Sequence, residues 1–331
     1  MPIHILGTGS YAPEKVLTNH DLEKMVETND EWITTRTGIR QRHIAADHEA
    51  TSDLATHAAR MALEASGLAA DDLDLIFVAT CTPDMAFPST ATLVQENIGA
   101  QNAIAMDLSA ACTGFVYGLE VARNMLECGR YKTALVIGAE KMSSIVNWED
   151  RGTCILFGDG AGAVVMSSEA GGQGGIGPCN LGSNGALGEL LMVPAGGSRR
   201  PVDAQVLIER SNTICMAGQE VFKHAVTNMT QTAKHLLAEA GWDPSELNLV
   251  IPHQANKRIL EAIRIRVGVP KNNVYVNVDK YGNTSAASIG IALDEAVRSG
   301  RLHPGDKVML LAFGAGFTWG GMLLEWRTPE S

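Results

Sequence analysis

The run Asp107-Leu-Ser-Ala-Ala-Cys112-Thr-Gly-Phe sets a cysteine between an apolar, strand-like stretch (Ala103 to Met106) and a helix-like one (Phe115 to Leu126). Its neighbours are too small to shield a side chain. A thiol at the first turn of a helix meets unpaired backbone N–H groups and the positive end of the helix dipole. That dipole contributes about 0.3–1 kcal/mol, and about 2 kcal/mol when partly buried. This would bring a thiol from a pKa of about 8.5 towards about 7. Thiolate is the nucleophilic form, so the chemistry expected of Cys112 is covalent catalysis. Taken alone, a free cysteine is more often a small buried hydrophobe, and the weight for Cys112 comes from the rest of the chain.

The elements that must position Cys112 occur twice. Ala103-Ile-Ala-Met-Asp107 and Val274-Tyr-Val-Asn-Val278 both alternate like strands. Each leads through a small-residue turn into a helical stretch that stops at Gly129-Arg130 or Gly300-Arg301. Positions 103, 112 and 129 map onto 274, 283 and 300 at an offset of 171, so Asn283 takes the place of Cys112 in the second half. Upstream, Gly67 and Leu75 map onto Gly241 and Leu249 at an offset of 174. His253 then closes a buried strand of the second half. A duplicated α/β unit with pseudo-twofold symmetry directs Cys112, His253 and Asn283 to one crevice, beyond the carboxyl ends of the strands.

The pattern along the chain is α/β throughout. Strand-like runs fall at 75–79, 103–106, 134–138, 162–166, 249–251, 274–278 and 308–313. Helical patterns at 53–66, 89–98, 115–127, 217–240, 256–267 and 285–299 alternate with them, as in mainly parallel sheets flanked by helices. The two halves are 1–170, with the cysteine nucleophile, and 171–331, with the histidine and asparagine. Glycine-rich Gly171 to Ser198 reads as the connection between them, and 199–211, with three arginines, as an exposed excursion.

Composition narrows the function. A length of 331 residues with 45% hydrophobic content supports a large core. The net charge of −11 argues against a nucleic-acid binder. No apolar run reaches the length of a membrane span, and the N-terminus lacks the regions of a signal peptide. The six cysteines form no CxxC pair and the nine histidines no zinc spacing, so no metal is expected, and reduced thiols in a cytoplasmic enzyme fit best. Gly158-Asp-Gly-Ala-Gly162 lacks the spacing of a dinucleotide fingerprint and reads as a tight turn into a strand. A non-catalytic binding module would have no need of Cys112, His253 and Asn283 together.

Further motifs identify a family. They are Gly7-Thr-Gly-Ser, Asp30-Glu-Trp-Ile, Thr35-Arg-Thr-Gly-Ile-Arg40, Ala111-Cys112, Asp150-Arg-Gly-Thr, Phe157-Gly-Asp-Gly-Ala-Gly162, Pro252-His-Gln-Ala-Asn256, Gly282-Asn-Thr-Ser-Ala-Ala287 and Gly314-Ala-Gly-Phe-Thr-Trp319. Across nearly all its length the chain resembles the β-ketoacyl-acyl-carrier-protein synthases III, the initiating condensing enzymes of bacterial type II fatty-acid synthesis. These belong to the thiolase superfamily. The resemblance implies a five-layered αβαβα thiolase-like fold. The triad is Cys-His-Asn, whereas the elongating synthases carry Cys-His-His. Thiolases have a second cysteine near the C-terminal glycine loop, and Phe313 to Gly320 contains none.

What the resemblance implies for chemistry is a two-step reaction without a cofactor. Cys112 takes the acetyl group of acetyl-CoA. Malonyl-ACP is then decarboxylated with His253 and Asn283 hydrogen-bonding its thioester carbonyl, and acetoacetyl-ACP leaves. Backbone N–H groups of Cys112 and Ala315 form the oxyanion hole, with alanine standing where many relatives have glycine. Phe222 is the apolar gate beside the malonyl carboxylate. Trp32 and Arg151 sandwich the CoA adenine, Thr28 and Arg36 bind in the same motif, and Asn256 meets the pantetheine arm. Lys257, Arg258 and Gln254 dock the acidic acyl carrier protein, within a basic cluster that includes Arg264, Arg266 and Lys271. A homodimer is implied, with Phe87 reaching across to close the partner's acyl pocket. The other reading is a synthase III-like enzyme of secondary metabolism with a different primer or acceptor.

Overall fold

The structure is a computed structural model that describes residues 2–169 and 174–327. Its first half contributes β1 (His4–Tyr11), the hairpin β2 (Lys15–Thr18) and β3 (Gln41–Ile44), then β4 (Leu75–Ala79), β5 (Ile104–Leu108), β6 (Thr133–Glu140) and β7 (Gly160–Ser167). The second half contributes β8 (Gly175–Ser183), the short pair β9 (Leu191–Met192) and β10 (Cys215–Met216), then β11 (Leu249–Pro252), β12 (Lys307–Gly314) and β13 (Thr318–Glu325). One sheet runs β1-β7-β6-β4-β5 and the other β11-β12-β13-β8.

Strand alternation builds the layers. Leu75 and Phe77 of β4 point one way and join Leu249, Ile251, Val308 and Leu310 of the second sheet in a shared core. Two helices, Gly114–Glu127 and Ala287–Arg298, fill that core through Phe115, Leu119, Ile289 and Leu293. Ile76 and Val78 point the other way, under helix Thr51–Ser66. On the far side of the second sheet, Met309, Leu311 and Leu323 pack against helices Gly218–Ala240 and Lys257–Val267. Because both faces of each sheet are covered, the central strands read as continuous apolar runs. The result is five layers, αβαβα.

Three expectations change. The sheets are mixed, not mainly parallel: β4 pairs parallel with β5 and β6, but β7 runs antiparallel between β1 and β6. In the second sheet β11 and β12 are parallel, while β13 is antiparallel to both of its neighbours. Val274–Val278 is not a strand; Val274 makes one isolated bridge to Val250. Tyr275 N–H donates to Val250 O (2.9 Å), and the buried side chain of Gln254 supplies two further bonds, donating from Nε2 to Tyr275 O (3.1 Å) and accepting at Oε1 from Asn277 N–H (3.0 Å). The segment taken as a connection holds β8, the edge strand of the second sheet, and the excursion at 199–211 contains a helical turn, Ala204–Glu209. The boundary set at 170/171 lies outside the described residues.

The halves interlock along helix Ala287–Arg298. A Cβ on Gly290 would fall 2.8 Å from the Gly162 carbonyl carbon, so both backbones need glycine to pass. That is the work of Gly162 in the run 158–162, while Gly158 leaves room for Tyr281 O.

Candidate active site

Cys112 sits where β5 gives way to the helix Gly114–Glu127. Ala111, with φ 47°, turns the chain in the left-handed region, and Ala111–Thr113 forms a 3₁₀ turn. The Thr113 side chain donates to Ala110 O at 2.5 Å. The neighbours must be small: a Cβ on Gly314 would lie 2.7 Å from Cys112 N, and one on Gly114 2.9 Å from Ala79 Cβ. Cys112 is 8% exposed and opens onto a cavity of about 350 Å³.

Burial pushes the Cys112 thiol up to about 12, and the nearby Glu140 charge adds to the rise. The Ser285 hydroxyl and the cysteine's own N–H act the other way. This direction is opposite to the sequence-based expectation of a thiol near 7, and its largest cause is desolvation of the sulfur.

The repeat brings the second half to the same cavity, with a different register. Ser285 has φ 48°, matching Ala111, and Ala287 N–H donates to Thr284 O (3.0 Å) as Thr113 N–H does to Ala110 O (3.2 Å). The offset at the turn is therefore 174, and the residue in Cys112's place is Ala286. Asn283 lies three residues earlier, on a bridge to Phe157, with its N–H donating to Leu156 O (2.8 Å). Its Oδ1 accepts from Ser285 N–H at 2.8 Å, which fixes the amide and leaves Nδ2 free to donate.

His253 follows β11 and is 4% exposed. Burial lowers its pKa to about 4, so the ring is neutral at pH 7. Nδ1 lies 2.6 Å from Ser288 Oγ. A Ser288 hydroxyl that donates to Nδ1 selects the tautomer with the proton on Nε2. Ser288 carries no motif of its own, and sequence reading passed over it as one more small residue of a helix.

Ala315 lines the same cavity and keeps a negative φ, the condition set by the oxyanion role expected of it. Phe222 lines the wall half-buried, but Arg258 stands 5.8 Å from its ring. A carboxylate there would be drawn by the guanidinium, which does not suit an apolar gate. Phe313, buried one residue before Gly314, gives the cavity an aromatic surface without a cation, and sequence reading missed it. Cys81 and Ser285 also line the cavity unannounced.

The outlying residues divide. Arg36 and Arg151 place their guanidinium carbons 4.4 Å and 4.9 Å from the Trp32 ring. An adenine between Trp32 and Arg151 would need two contacts of about 3.5–4.0 Å, so the pair is closed as it stands. Thr28 Oγ1 is buried and without a hydrogen-bond partner. Asn256 caps helix Lys257–Val267 by accepting from Arg258 N–H (2.8 Å), and donates to Arg36 O (3.2 Å). Gln254 is buried with its amide fully engaged, so it cannot meet a docking protein. Lys257, Arg258, Arg266 and Lys271 are exposed, while Arg264 is spent on Glu261 (2.6 Å). Phe87 is 85% exposed and does not line the cavity of its own protomer.

Comparison with known proteins bears on the family and the fold. The 3-oxoacyl-[acyl-carrier-protein] synthase III family profile matches residues 106–185, and its C-terminal companion matches 237–326. A β-ketoacyl-[acyl-carrier-protein] synthase III of Caldanaerobacter subterraneus subsp. tengcongensis is 55% identical over 322 residues, 97% of each chain. One from Desulfitobacterium hafniense is 54% identical over 324 residues, 98% of each. The crystal structure of the 3-oxoacyl-[acyl-carrier-protein] synthase III of Aquifex aeolicus superposes with a TM-score of 0.90 at 48% identity, covering 98% of this chain and all of the other.

Proposed function

The chain belongs to the 3-oxoacyl-[acyl-carrier-protein] synthase III family, and from that membership we propose the following division of labour. The enzyme is an acyltransferase that joins acetyl-CoA to malonyl-ACP, giving acetoacetyl-ACP, CoA and CO2 and initiating fatty-acid synthesis. Cys112 thiolate attacks the acetyl thioester carbonyl, and the C–S bond to CoA breaks with CoA leaving as thiolate. N–H groups of Cys112 and Ala315 hold the oxyanion. His253 Nε2–H and Asn283 Nδ2–H then donate to the malonyl thioester oxygen while the bond to the carboxylate breaks. The electron pair forms an enolate, which attacks the acetyl carbon and expels Cys112. The reaction draws on no cofactor beyond its two thioesters.

The observation that carries this reading is the convergence of Cys112, His253 and Asn283 on one cavity, with each amide or imidazole anchored on its far side. The test separates the half-reactions. Mass spectrometry after incubation with acetyl-CoA alone is expected to place one acetyl group on Cys112, and Cys112→Ser to abolish it. His253→Ala and Asn283→Ala should keep acetylation yet lose malonyl-ACP decarboxylation by about 10²–10³ each. An adduct on Cys154 or Cys215, or normal decarboxylation by both variants, refutes the assignment.

For the partners, exposed Lys257, Arg258 and Arg266 form a cationic face suited to an acidic carrier protein. Arg151 swings away from Trp32 to admit the CoA adenine, and Thr28 Oγ1 gains a partner. A second copy covers the exposed edge of β5, where Ile104 and Met106 face outward. Among the described residues no helix is long and apolar enough to cross a membrane, and the six cysteines are free, which accords with a cytoplasmic enzyme.

A further inference from the structure

We propose that the hydroxyl of Thr318 is a positioning group for the oxyanion hole, setting the spacing of its two N–H donors by clamping the turn that carries Cys112 to the loop that carries Ala315. The proposal rests on the acyl-Cys112 reading given above. The two donors come from different halves of the chain. Cys112 lies in the turn Ala111–Thr113 of the first half, and Ala315 lies between β12 and β13 of the second. Both line the same cavity, and among the described residues neither N–H bonds to another backbone group. No backbone hydrogen bond joins the two turns there, so side chains must fix how far apart they stand.

Thr113 Oγ1 lies 2.7 Å from Thr318 Oγ1. Two hydroxyl oxygens at that distance hold a proton between them. Thr318 Oγ1 also reaches Ala110 O (3.1 Å) across the divide and Ala315 O (3.0 Å) on its own loop. Ala110 and Thr113 bracket Cys112, so one hydroxyl grips the nucleophile turn at both ends and Ala315 by its carbonyl. Thr113 is fully buried, and no solvent reaches that side of the contact. The rest of the loop is anchored on either side of Ala315. Gly314 packs on the nucleophile, where a Cβ would fall 2.7 Å from Cys112 N. Phe317 exchanges two backbone bonds with Asn184, donating its N–H at 2.9 Å and accepting at 2.8 Å. A methyl group in place of the hydroxyl would break the grip. Carbon against oxygen needs about 3.3–3.6 Å, so Thr318→Val drives the 2.7 Å contact apart by roughly 0.6–0.9 Å. Misplacement on the order of 1 Å costs up to about 10² in rate.

Only steps whose oxyanion sits between Cys112 and Ala315 feel that displacement. Acetylation of Cys112 is one of them. Malonyl-ACP decarboxylation, with its carbonyl oxygen on His253 and Asn283, is not. The experiment measures the two half-reactions of the full chain separately: single-turnover acetylation by acetyl-CoA, followed by mass spectrometry, and release of CO2 from malonyl-ACP. Thr318→Val is expected to slow acetylation by about 10- to 10²-fold at saturating acetyl-CoA. The half-saturating concentration should not move, because the interaction lost is made in the transition state. Decarboxylation should keep its rate, which also reports that the site is folded. Thr318→Ser, which keeps the hydroxyl, should restore acetylation. Thr113→Ala removes the same link from the other side and should give the same split, so it carries the test if Thr318→Val does not fold. Equal loss in both half-reactions, unimpaired acetylation by Thr318→Val, or a Thr318→Ser variant as slow as Thr318→Val overturns the proposal. An acetyl group found elsewhere than Cys112 overturns instead the reading on which it rests.

Discussion

A histidine that must donate a hydrogen bond at neutral pH needs its tautomer fixed from behind. His253 is neutral because burial lowers its pKa to about 4, and Ser288 Oγ, 2.6 Å from Nδ1, is the group able to hold the proton on Nε2. Ser288→Ala is therefore expected to slow malonyl-ACP decarboxylation, by no more than the about 10²–10³ of losing the donor outright. Acetylation of Cys112 should be spared. The effect is read from the two half-reactions measured separately, and equal loss in both would mean that Ser288 only supports packing. The sign of the pH dependence follows from the lowered pKa. The neutral ring, and the stability it carries, is present above the unfolded value of about 6.5 and is lost as pH falls towards 4. At this scale the meeting of Cys112, His253 and Asn283 at one cavity was legible, because all three break the patterns around them. Ser288 and Phe313 were not, since a serine in a helix and a phenylalanine in a strand look ordinary until their neighbours are known. Gln254 misled for the same reason: a polar residue beside a motif reads as surface, yet it spends its amide on the backbone.

Elements that bury both faces were read well, and those that depend on partners were not. The apolar runs of β4, β6 and β12 and the six long helices fall close to where periodicity placed them. Parallel or antiparallel pairing is not written in a single strand, so the mixed order of both sheets escaped. The alternation at 274–278 failed because the backbone meets strand β11 only once, through Tyr275 N–H to Val250 O (2.9 Å), before the Gln254 side chain takes over. The register error at Asn283 has a similar origin. Gly129 N–H donates to Leu126 O and Gly300 N–H to Val297 O at helix ends 171 apart, while the turns at the helix starts are 174 apart. The second helix is shorter at its beginning, and counting back from the stop misplaces the turn. The crossing of Gly290 over Gly162 lets this shorter helix lie close against the first sheet. Gly290→Ala would press a methyl group onto backbone that has no room to yield, costing about 1–3 kcal/mol by overpacking. A urea midpoint equal to that of the unmodified protein would show that the two backbones can part.

At the scale of the molecule, the edges of the first sheet are treated differently. β1 lies at one end of the strand order and β5 at the other, and β5 turns Ile104 and Met106 outward. An apolar edge strand left bare invites pairing with another chain, and the net charge of −11 works against indiscriminate association. Pairing of β5 with its copy satisfies both, and light scattering is expected to report a dimer at micromolar concentration; a stable monomer would contradict it. The same pairing gives a use to Phe87, whose ring has no place in its own protomer. Carried into the partner's acyl pocket, it would limit the primer to acetyl or propionyl, because each further methylene would have to displace packed atoms at about 1–3 kcal/mol. That is roughly 5- to 150-fold against butyryl or branched acyl-CoA. Phe87→Thr should widen the range, in a radiolabel assay with malonyl-ACP and a panel of acyl-CoA primers. Such a panel also bears on the reading as a secondary-metabolic synthase, since a preference for some other primer would speak for it. Comparable turnover of acetyl-CoA and octanoyl-CoA by the unmodified enzyme would mean that Phe87 does not close the pocket, and the exposed ring would then need another explanation.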